Sequence, residues 1–175
     1  MSLGLYLHIP YCFSKCRYCD FYSHPGERGV PDAYVNALLR ELSRFAPEAP
    51  LQPDTLYFGG GTPSLLRPEQ AKRLIDAARP MPGAEITLEA NPETVTEESL
   101  AGFREAGVNR ISFGVQSARD TQLRTLGRPH TAKQARAAFA AARRAGFANI
   151  SGDIMLALPH YTEAEFDETL ELIEG

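Results

Sequence analysis

This sequence of 175 residues has only three cysteines, no excess of positive charge and no long apolar run. All three cysteines lie within the first 19 residues, whereas a disulfide framework uses an even number spread along the chain. Lys and Arg total 18 against 22 Asp and Glu, and this balance argues against a general nucleic-acid binder and a polybasic membrane patch. No apolar run approaches the roughly 20 residues of a membrane helix, and the N-terminus lacks a cleavable signal pattern. We therefore expect a cytoplasmic globular protein with no membrane span and no nucleic-acid partner.

Short apolar runs alternate with amphipathic stretches along the chain. The apolar runs predict strands at 3–9, 55–58, 85–90, 110–115 and 150–158, the last one ended by Pro159. Helices are predicted from Asp32, from Pro68, over 96–106, over 132–145 and after Thr162. Capping boxes pair Thr131 with Gln134 and Thr162 with Glu165. Because parallel strands need helical crossovers, five successive βα units predict an α/β fold with a parallel sheet.

The chain is too short for a complete eight-unit barrel, which takes about 250 residues. The strand pattern alone leaves a partial barrel and an open, doubly wound sheet as alternatives. In either fold, ligands bind at the C-terminal ends of the strands. Polar and glycine-rich segments occur at those ends, at 11–19, 59–62, 89–92, 116–117 and 153. We therefore expect these segments to form one site.

Cys12, Cys16 and Cys19 place three thiols in one loop of eight residues. Structural zinc takes four ligands, commonly from paired cysteines, and the sequence offers no second pair. A four-iron cluster normally takes four cysteines, so three would leave one iron open for a bound reactant. Reduced thiols and an incomplete zinc site remain alternatives. The loop also carries aromatic residues that could shield a cluster from water, namely Tyr11, Phe13, Tyr18, Phe21 and Tyr22.

Several ordered motifs resemble the radical SAM (S-adenosylmethionine) superfamily. They are YLHIPYCFSKCRYCDF at 6–21, FGGGTPS at 58–64, LEANP at 88–92, NRISFGVQS at 109–117, LGRPH at 126–130 and DIMLALP at 153–159. Within the superfamily, they are most similar to the branch that holds oxygen-independent coproporphyrinogen III oxidases and HemW-type haem chaperones. The resemblance implies a partial (β/α)6 TIM-like barrel, of which this chain has about five βα units.

The resemblance also implies two cofactors. A [4Fe-4S] cluster would bind to Cys12, Cys16 and Cys19, and S-adenosylmethionine would chelate the fourth iron. An electron from the cluster would then break a sulfur–carbon bond, giving methionine and a 5′-deoxyadenosyl radical. The residues implied to contact SAM are Tyr6, Tyr18, Gly60, Gly61, Thr62, Glu89, Gln116, Arg128 and Asp153. No residue is assigned a catalytic role, and whether SAM is cleaved stays open.

Most of these residues also have a purely structural interpretation. The glycines at 59–61 could form only a strand-ending turn, Glu89 could be a solvated carboxylate, and the two tyrosines could be core aromatics. Asp153 is different because its predicted strand is otherwise apolar, and an unpaired carboxylate in apolar surroundings is costly. That cost favours a ligand-binding role for Asp153.

Two departures from the oxidases favour the haem chaperones. The oxidases carry a further cysteine two residues after the third, where this chain has Phe21, and they have a longer segment before the cysteine loop. The resemblance then implies haem or porphyrin as ligand, haem-accepting proteins (including membrane respiratory ones) as partners, and an electron donor for the cluster. The alternatives are an enzyme of porphyrin biosynthesis similar to the oxidases and a structural zinc-binding module. We expect residues 1–175 to be the radical SAM core domain, without strand six and a C-terminal domain.

Overall fold

A computed structural model describes residues 3–45, 51–158 and 160–174. The strands are β1 (Gly4–Ile9), β2 (Tyr11–Cys12), β3 (His24–Pro25), β4 (Thr55–Gly60), β5 (Glu85–Ala90), β6 (Arg110–Gln116) and β7 (Asn149–Ile154). The α-helices are α1 (Asp32–Phe45), α2 (Pro68–Ala78), α3 (Glu97–Ala106), α4 (Asp120–Leu126), α5 (Ala132–Arg144) and α6 (Glu163–Glu174). Single 3-10 turns follow β4 at Pro63–Leu65 and β5 at Pro92–Thr94.

The main sheet has five parallel strands in the order β1-β4-β5-β6-β7. Each strand is added beside the one before it in this sheet, and the order never reverses. Because βαβ crossovers are right-handed, an order without reversal keeps the connecting helices on one face of the sheet. A doubly wound sheet reverses its order at a switch point. The fold is therefore α/β with a parallel, singly wound sheet of the barrel type, which decides between the two predicted alternatives.

The two faces of this sheet differ sharply, since successive residues of a strand point to opposite faces. One face packs against the helices through fully buried side chains that include Leu56, Phe58, Leu88, Ile111 and Phe113. Each such side chain contributes about 1.5–3 kcal/mol through its burial. The other face is the polar inner face, formed by Tyr6, His8, Tyr57, Thr87, Glu89, Arg110, Ser112, Ser151 and Asp153.

Local signals at the helix ends are confirmed. Gly107 ends α3 in the left-handed region with φ 112°, a conformation that suits glycine. The Thr131 hydroxyl accepts from the N–H of Gln134, whose side-chain oxygen accepts from the N–H of Thr131. Thr162 and Glu165 make the same reciprocal pair ahead of α6.

The last strand was predicted too long. It ends at Ile154 rather than at residue 158, because its partner β6 ends at Gln116, which pairs with Ile154 across a register shift. The N–H of Met155 donates a final hydrogen bond to the Gln116 carbonyl, and beyond it none of the described residues forms a strand pair with β7. Pro159, predicted to end the strand, lies outside the described residues.

Helix α4 and the short strands β2 and β3 were not predicted from the sequence. Helix α4 occupies the connection between β6 and α5, and Gly127 caps it with φ 73°. The short strands β2 and β3 pair with each other and close the cysteine loop at its base. In the part of the chain that the structure describes, no helix is both long and apolar enough to cross a bilayer.

Candidate metal and cofactor site

The C-terminal ends of the strands surround a cavity of about 280 Å³. All three cysteines line it, so the loop and the strand ends form a common site as expected. Every residue implied to contact SAM lines it too, except Tyr6. They are Tyr18, Gly60, Gly61, Thr62, Glu89, Gln116, Arg128 and Asp153.

The end of β4 supports the cysteine loop from one side. The N–H of Gly61 donates to the Ile9 carbonyl at 2.9 Å, and the N–H of Thr62 donates to the Tyr11 carbonyl at 2.8 Å. A Cβ on Gly61 would lie 2.7 Å from the Tyr11 carbonyl oxygen and 2.9 Å from Cys12 Sγ, so only glycine fits there. The Thr62 hydroxyl also donates to Cys12 Sγ at 3.6 Å. The glycine run is therefore a close-packed support for the loop and not only a turn.

The end of α4 and the residues after it also hold the loop. The N–H of Arg17 donates to the Leu126 carbonyl at 3.0 Å. Nη1 of Arg128 donates to Cys16 Sγ at 3.6 Å and to Asn91 Oδ1 at 3.1 Å, while its Nη2 donates to the Gly114 carbonyl at 2.7 Å. One guanidinium thus joins the cysteine loop to the ends of β5 and β6. It also places a permanent positive charge beside the Cys16 sulfur, and such a charge favours the thiolate form of a cysteine.

The cysteine set fits an iron–sulfur cluster better than a zinc ion. Cys12 is buried, and Cys16 and Cys19 are half-buried, with all three thiols free. Among the described residues, no three His, Cys, Asp or Glu side chains converge closely enough to hold one metal ion. Structural zinc needs four ligand atoms at about 2.0–2.3 Å from a single centre. In a four-iron cube each cysteine binds a separate iron, so three thiols that line one cavity suit such a cluster.

Tyr18 lies within the cysteine loop and faces the cavity. Burial raises the pKa of its hydroxyl to about 12, against the opposing effect of the Arg128 charge. The hydroxyl is therefore protonated at neutral pH and remains available as a hydrogen-bond donor.

Two hydrogen-bond donors hold the Glu89 carboxylate near the C-terminal end of β5. The Tyr57 hydroxyl donates to Glu89 Oε1 at 2.8 Å, and the N–H of Gly60 donates to Oε2 at 3.2 Å. Burial raises the pKa of Glu89 above its usual value, and these two hydrogen bonds counteract part of that rise. The site therefore holds a partly desolvated carboxylate, which a cationic ligand would stabilise in its charged form.

Tyr6 does not line the cavity and is connected to it through Tyr57 and Glu89. Its ring stacks on Tyr57, with 6.0 Å between centroids and 17° between planes. Its hydroxyl lies 3.2 Å from His8 Nδ1, and His8 Nε2 lies 3.0 Å from the Tyr22 carbonyl oxygen. Since a carbonyl only accepts, the neutral His8 ring carries its hydrogen on Nε2, and the Tyr6 hydroxyl donates to Nδ1. Tyr6 supports Tyr57, which in turn holds Glu89.

Asp153 lies in surroundings that differ from those expected. It is exposed on the polar inner face, where the Ser112 hydroxyl donates to its Oδ1 at 3.2 Å. The premise of apolar surroundings is wrong, because only the opposite face of β7 carries the apolar residues of this strand.

Gln116, at the end of β6, has a φ of 67°, which is unusual for a residue with a side chain. It occupies the register shift that ends the β6–β7 pairing.

Sequence reasoning missed four residues that shape the site. Tyr57 contacts Glu89, and Ser112 contacts Asp153. Asn91 and Gly114 both contact Arg128. The signal that could have found three of them is the two-residue alternation within β4 and β6. This alternation separates helix-facing from inward-facing positions.

Comparison with known proteins agrees with this geometry. The family model described as the radical SAM superfamily matches residues 6–173. The heme chaperone HemW of Bacillus subtilis (strain 168) is 40% identical over 172 residues, covering 94% of this chain and 45% of the relative. HemW of Escherichia coli (strain K12) is 44% identical over 163 residues, covering 90% and 43%. Among solved structures, the coproporphyrinogen III oxidase HemN of Escherichia coli, a radical SAM enzyme, matches with a TM-score of 0.85 and 31% identity, covering 97% and 41%.

The chain thus spans less than half the length of these relatives. The match nevertheless extends from Tyr6, the first residue of the first motif, to the last turn of α6. The family implies a [4Fe-4S] cluster and S-adenosylmethionine as cofactors. On this match and on the site geometry, the chain belongs to the radical SAM superfamily.

Proposed function

We propose that Cys12, Cys16 and Cys19 hold the [4Fe-4S] cluster and that the adjoining strand ends bind S-adenosylmethionine. The observation that carries this proposal is the common cavity, which brings the three thiols together with eight of the nine residues implied to contact SAM. These residues come from six separate segments of the sequence. Only the fold places them around one space at the end of the sheet where parallel α/β proteins bind ligands.

The side chains at this cavity suit the polar groups of SAM. The Glu89 carboxylate is a partner for a cationic amino group, and the Arg128 guanidinium is a partner for a carboxylate. Gly60, Gly61 and Thr62 contribute the end of β4 and the residues after it to the wall of the cavity. Tyr18, Gln116 and Asp153 supply further polar contacts, and Tyr6 acts indirectly through Tyr57. The chemistry that the two cofactors supply when bound is one-electron cleavage of a sulfur–carbon bond of SAM.

For the whole protein, we propose a haem chaperone that binds haem and delivers it to haem proteins. Support comes from the identity of 40% and 44% to two HemW proteins and from Phe21, which replaces the additional cysteine of the oxidases. Haem-accepting proteins, an electron donor and a cytoplasmic location belong to this proposal. The radical SAM core over residues 1–175, followed by a sixth strand and a C-terminal domain, stays a prediction.

A second candidate is an oxidase-like enzyme of porphyrin biosynthesis. The match to HemN at 31% identity and a TM-score of 0.85 favours it. Phe21 in place of a cysteine argues against it. The two candidates share the cofactors and differ in what is done with the tetrapyrrole.

The test is anaerobic reconstitution with iron and sulfide, followed by titration with SAM and then with haem. We expect iron and sulfide near four per chain, SAM binding that requires the cluster, and haem binding without decarboxylation of coproporphyrinogen. Stoichiometric zinc with no retained iron would contradict the cofactor proposal. Decarboxylation with no haem binding would instead favour the oxidase-like enzyme.

A further inference from the structure

A directed series of hydrogen bonds crosses the polar inner face and ends at Asp153. Arg110 Nη2 donates to the Ser151 hydroxyl at 2.9 Å, and Ser151 donates to the Ser112 hydroxyl at 2.9 Å. The Ser112 hydroxyl then donates to Asp153 Oδ1 at 3.2 Å. Because a guanidinium only donates and a carboxylate only accepts, the direction of both hydroxyl groups is fixed. We call this series, from Arg110 through Ser151 and Ser112 to Asp153, the hydroxyl relay.

Arg110 also supports a second, shorter branch. Its Nη1 donates to the Thr87 hydroxyl at 3.3 Å, and Thr87 donates to Glu85 Oε1 at 3.2 Å. The guanidinium thus reaches two carboxylates through hydroxyl groups. In residues 3–45, 51–158 and 160–174, it forms no direct ion pair.

The indirect connection has a consequence for Asp153. A direct Arg–Asp pair is frequently bidentate and then occupies both carboxylate oxygens. The relay occupies only Oδ1, and no described residue donates a hydrogen bond to Oδ2. Asp153 lines the cavity and is exposed there, so one oxygen is held while the other remains available to a ligand. Hydrogen bonds in series also polarise one another, which strengthens the last one.

We propose that Arg110, Ser151 and Ser112 are positioning residues that orient the Asp153 carboxylate toward S-adenosylmethionine. This inference rests on the proposed function, because it takes Asp153 as a SAM-binding residue. Arg110 and Ser151 are not among the residues that line the cavity, and Ser112, which does line it, donates its hydroxyl hydrogen to Asp153. Arg110 and Ser151 therefore reach the ligand only through the hydroxyl relay, and the hydroxyl hydrogen of Ser112 is directed to the Asp153 carboxylate.

The test compares dissociation constants for SAM in the cluster-reconstituted protein. Outer contacts of this kind change ligand affinity by about 10-fold or more, so we expect Ser112→Ala and Ser151→Ala each to weaken SAM binding by about tenfold. Ser151→Thr retains the hydroxyl and should keep the wild-type affinity. Thr87→Val is the matched control, since it removes a hydroxyl that Arg110 also contacts but that leads to Glu85. Iron content and the circular dichroism spectrum should match the wild type in all variants.

A double-mutant cycle separates positioning from a general loss of structure. In an Asp153→Asn background, Ser112→Ala should cause no further loss of affinity, because the two changes act through one carboxylate. An equal loss in both backgrounds, or wild-type affinity in both serine variants, would overturn the inference. So would wild-type affinity in Asp153→Asn, although the proposed function would then still stand. Failure of the wild-type protein with its cluster to bind SAM would overturn the proposed function itself.

Discussion

The guanidinium of Arg128 lies directly against the backbone of Gly114, to whose carbonyl oxygen its Nη2 donates a hydrogen bond of 2.7 Å. A Cβ at position 114 would overlap Nη2 and would also lie 3.0 Å from Asn91 Oδ1. The same guanidinium contacts Cys16 Sγ. The absence of a side chain at Gly114, near the C-terminal end of β6, is therefore what lets the Arg128 guanidinium reach the cysteine loop.

We expect Gly114→Ala to displace Arg128 and to weaken SAM binding by about tenfold or more. The measurement is the dissociation constant for SAM, with iron content recorded in parallel. Gly29→Ala is a suitable control, because its nearest neighbour to a new Cβ is the Leu65 carbonyl oxygen at 3.9 Å. An affinity equal to that of the wild type would show that Arg128 keeps its position without the space at Gly114.

Gly61→Ala should destabilise the protein by about 1–3 kcal/mol, the usual cost of overpacking. The new methyl group would meet two backbone oxygens and Cys12 Sγ within 3.0 Å, and backbone cannot turn aside as a flexible side chain does. Urea unfolding of the cofactor-free chain measures the effect. Gly29→Ala again provides the comparison, and equal unfolding midpoints for the two variants would contradict the close packing described for Gly61.

Cys16→Ala should abolish retention of the cluster. Two remaining cysteines cannot hold a four-iron cluster that leaves one iron open, and the chain has no fourth cysteine to substitute. Iron and sulfide analysis after reconstitution gives the answer. Ser14→Ala changes a neighbouring residue that also lines the cavity and should retain iron. Unchanged iron in Cys16→Ala would refute its assignment as a ligand.

Glu89 should make stability depend on pH. Burial raises the pKa of Glu89 above its usual 4.5, so the folded chain keeps its proton at pH values where the unfolded chain has lost it. The resulting stabilisation is complete below about pH 4.5 and is lost as pH rises through the folded-state pKa. We therefore expect Glu89→Gln to reduce the fall in the free energy of unfolding between about pH 4.5 and about pH 7.

Tyr57→Phe should enlarge the fall in the free energy of unfolding with pH, whereas Glu89→Gln should reduce it. The Tyr57 hydroxyl lowers the pKa of Glu89 by its hydrogen bond, so its removal raises that pKa further. The free energy of unfolding should then continue to fall to higher pH values than in the wild type. Urea unfolding at several pH values, without cofactors, measures both variants, and the idea fails if wild type and Glu89→Gln have the same pH dependence.

Much of this architecture could be predicted from the sequence because each signal was local. The apolar runs gave the five main strands, and threonine caps at 131 and 162 gave two helix starts. The segments predicted to form one site do meet at the strand ends. The end of β7 could not be predicted, because it depends on where the neighbouring strand β6 stops and not on the apolar character of residues 155–158.

The contacts inside the site were beyond sequence reasoning for a similar reason. Arg128 and Cys16 are separated by 112 positions, and nothing local to either residue reports their contact. The exposed position of Asp153 depends on which face of β7 it occupies. The sequence suggested apolar surroundings because strand residues of both faces were considered together. Separating them by a period of two would have placed Asp153 on the same face as Asn149 and Ser151.

The sequential strand order has a consequence for the order in which the site is assembled. Every main strand pairs with its predecessor in the sheet, so the sheet can grow from β1 onward as the chain is synthesised. The cysteines are made first, but contacts that hold their loop come from Leu126 and Arg128. The thiols are therefore left half-enclosed until four of the five main strands and α4 have been made. On the proposed assignment, the cluster ligands are among the first residues of the chain, whereas the contacts that hold their loop are complete only once Arg128 has been made.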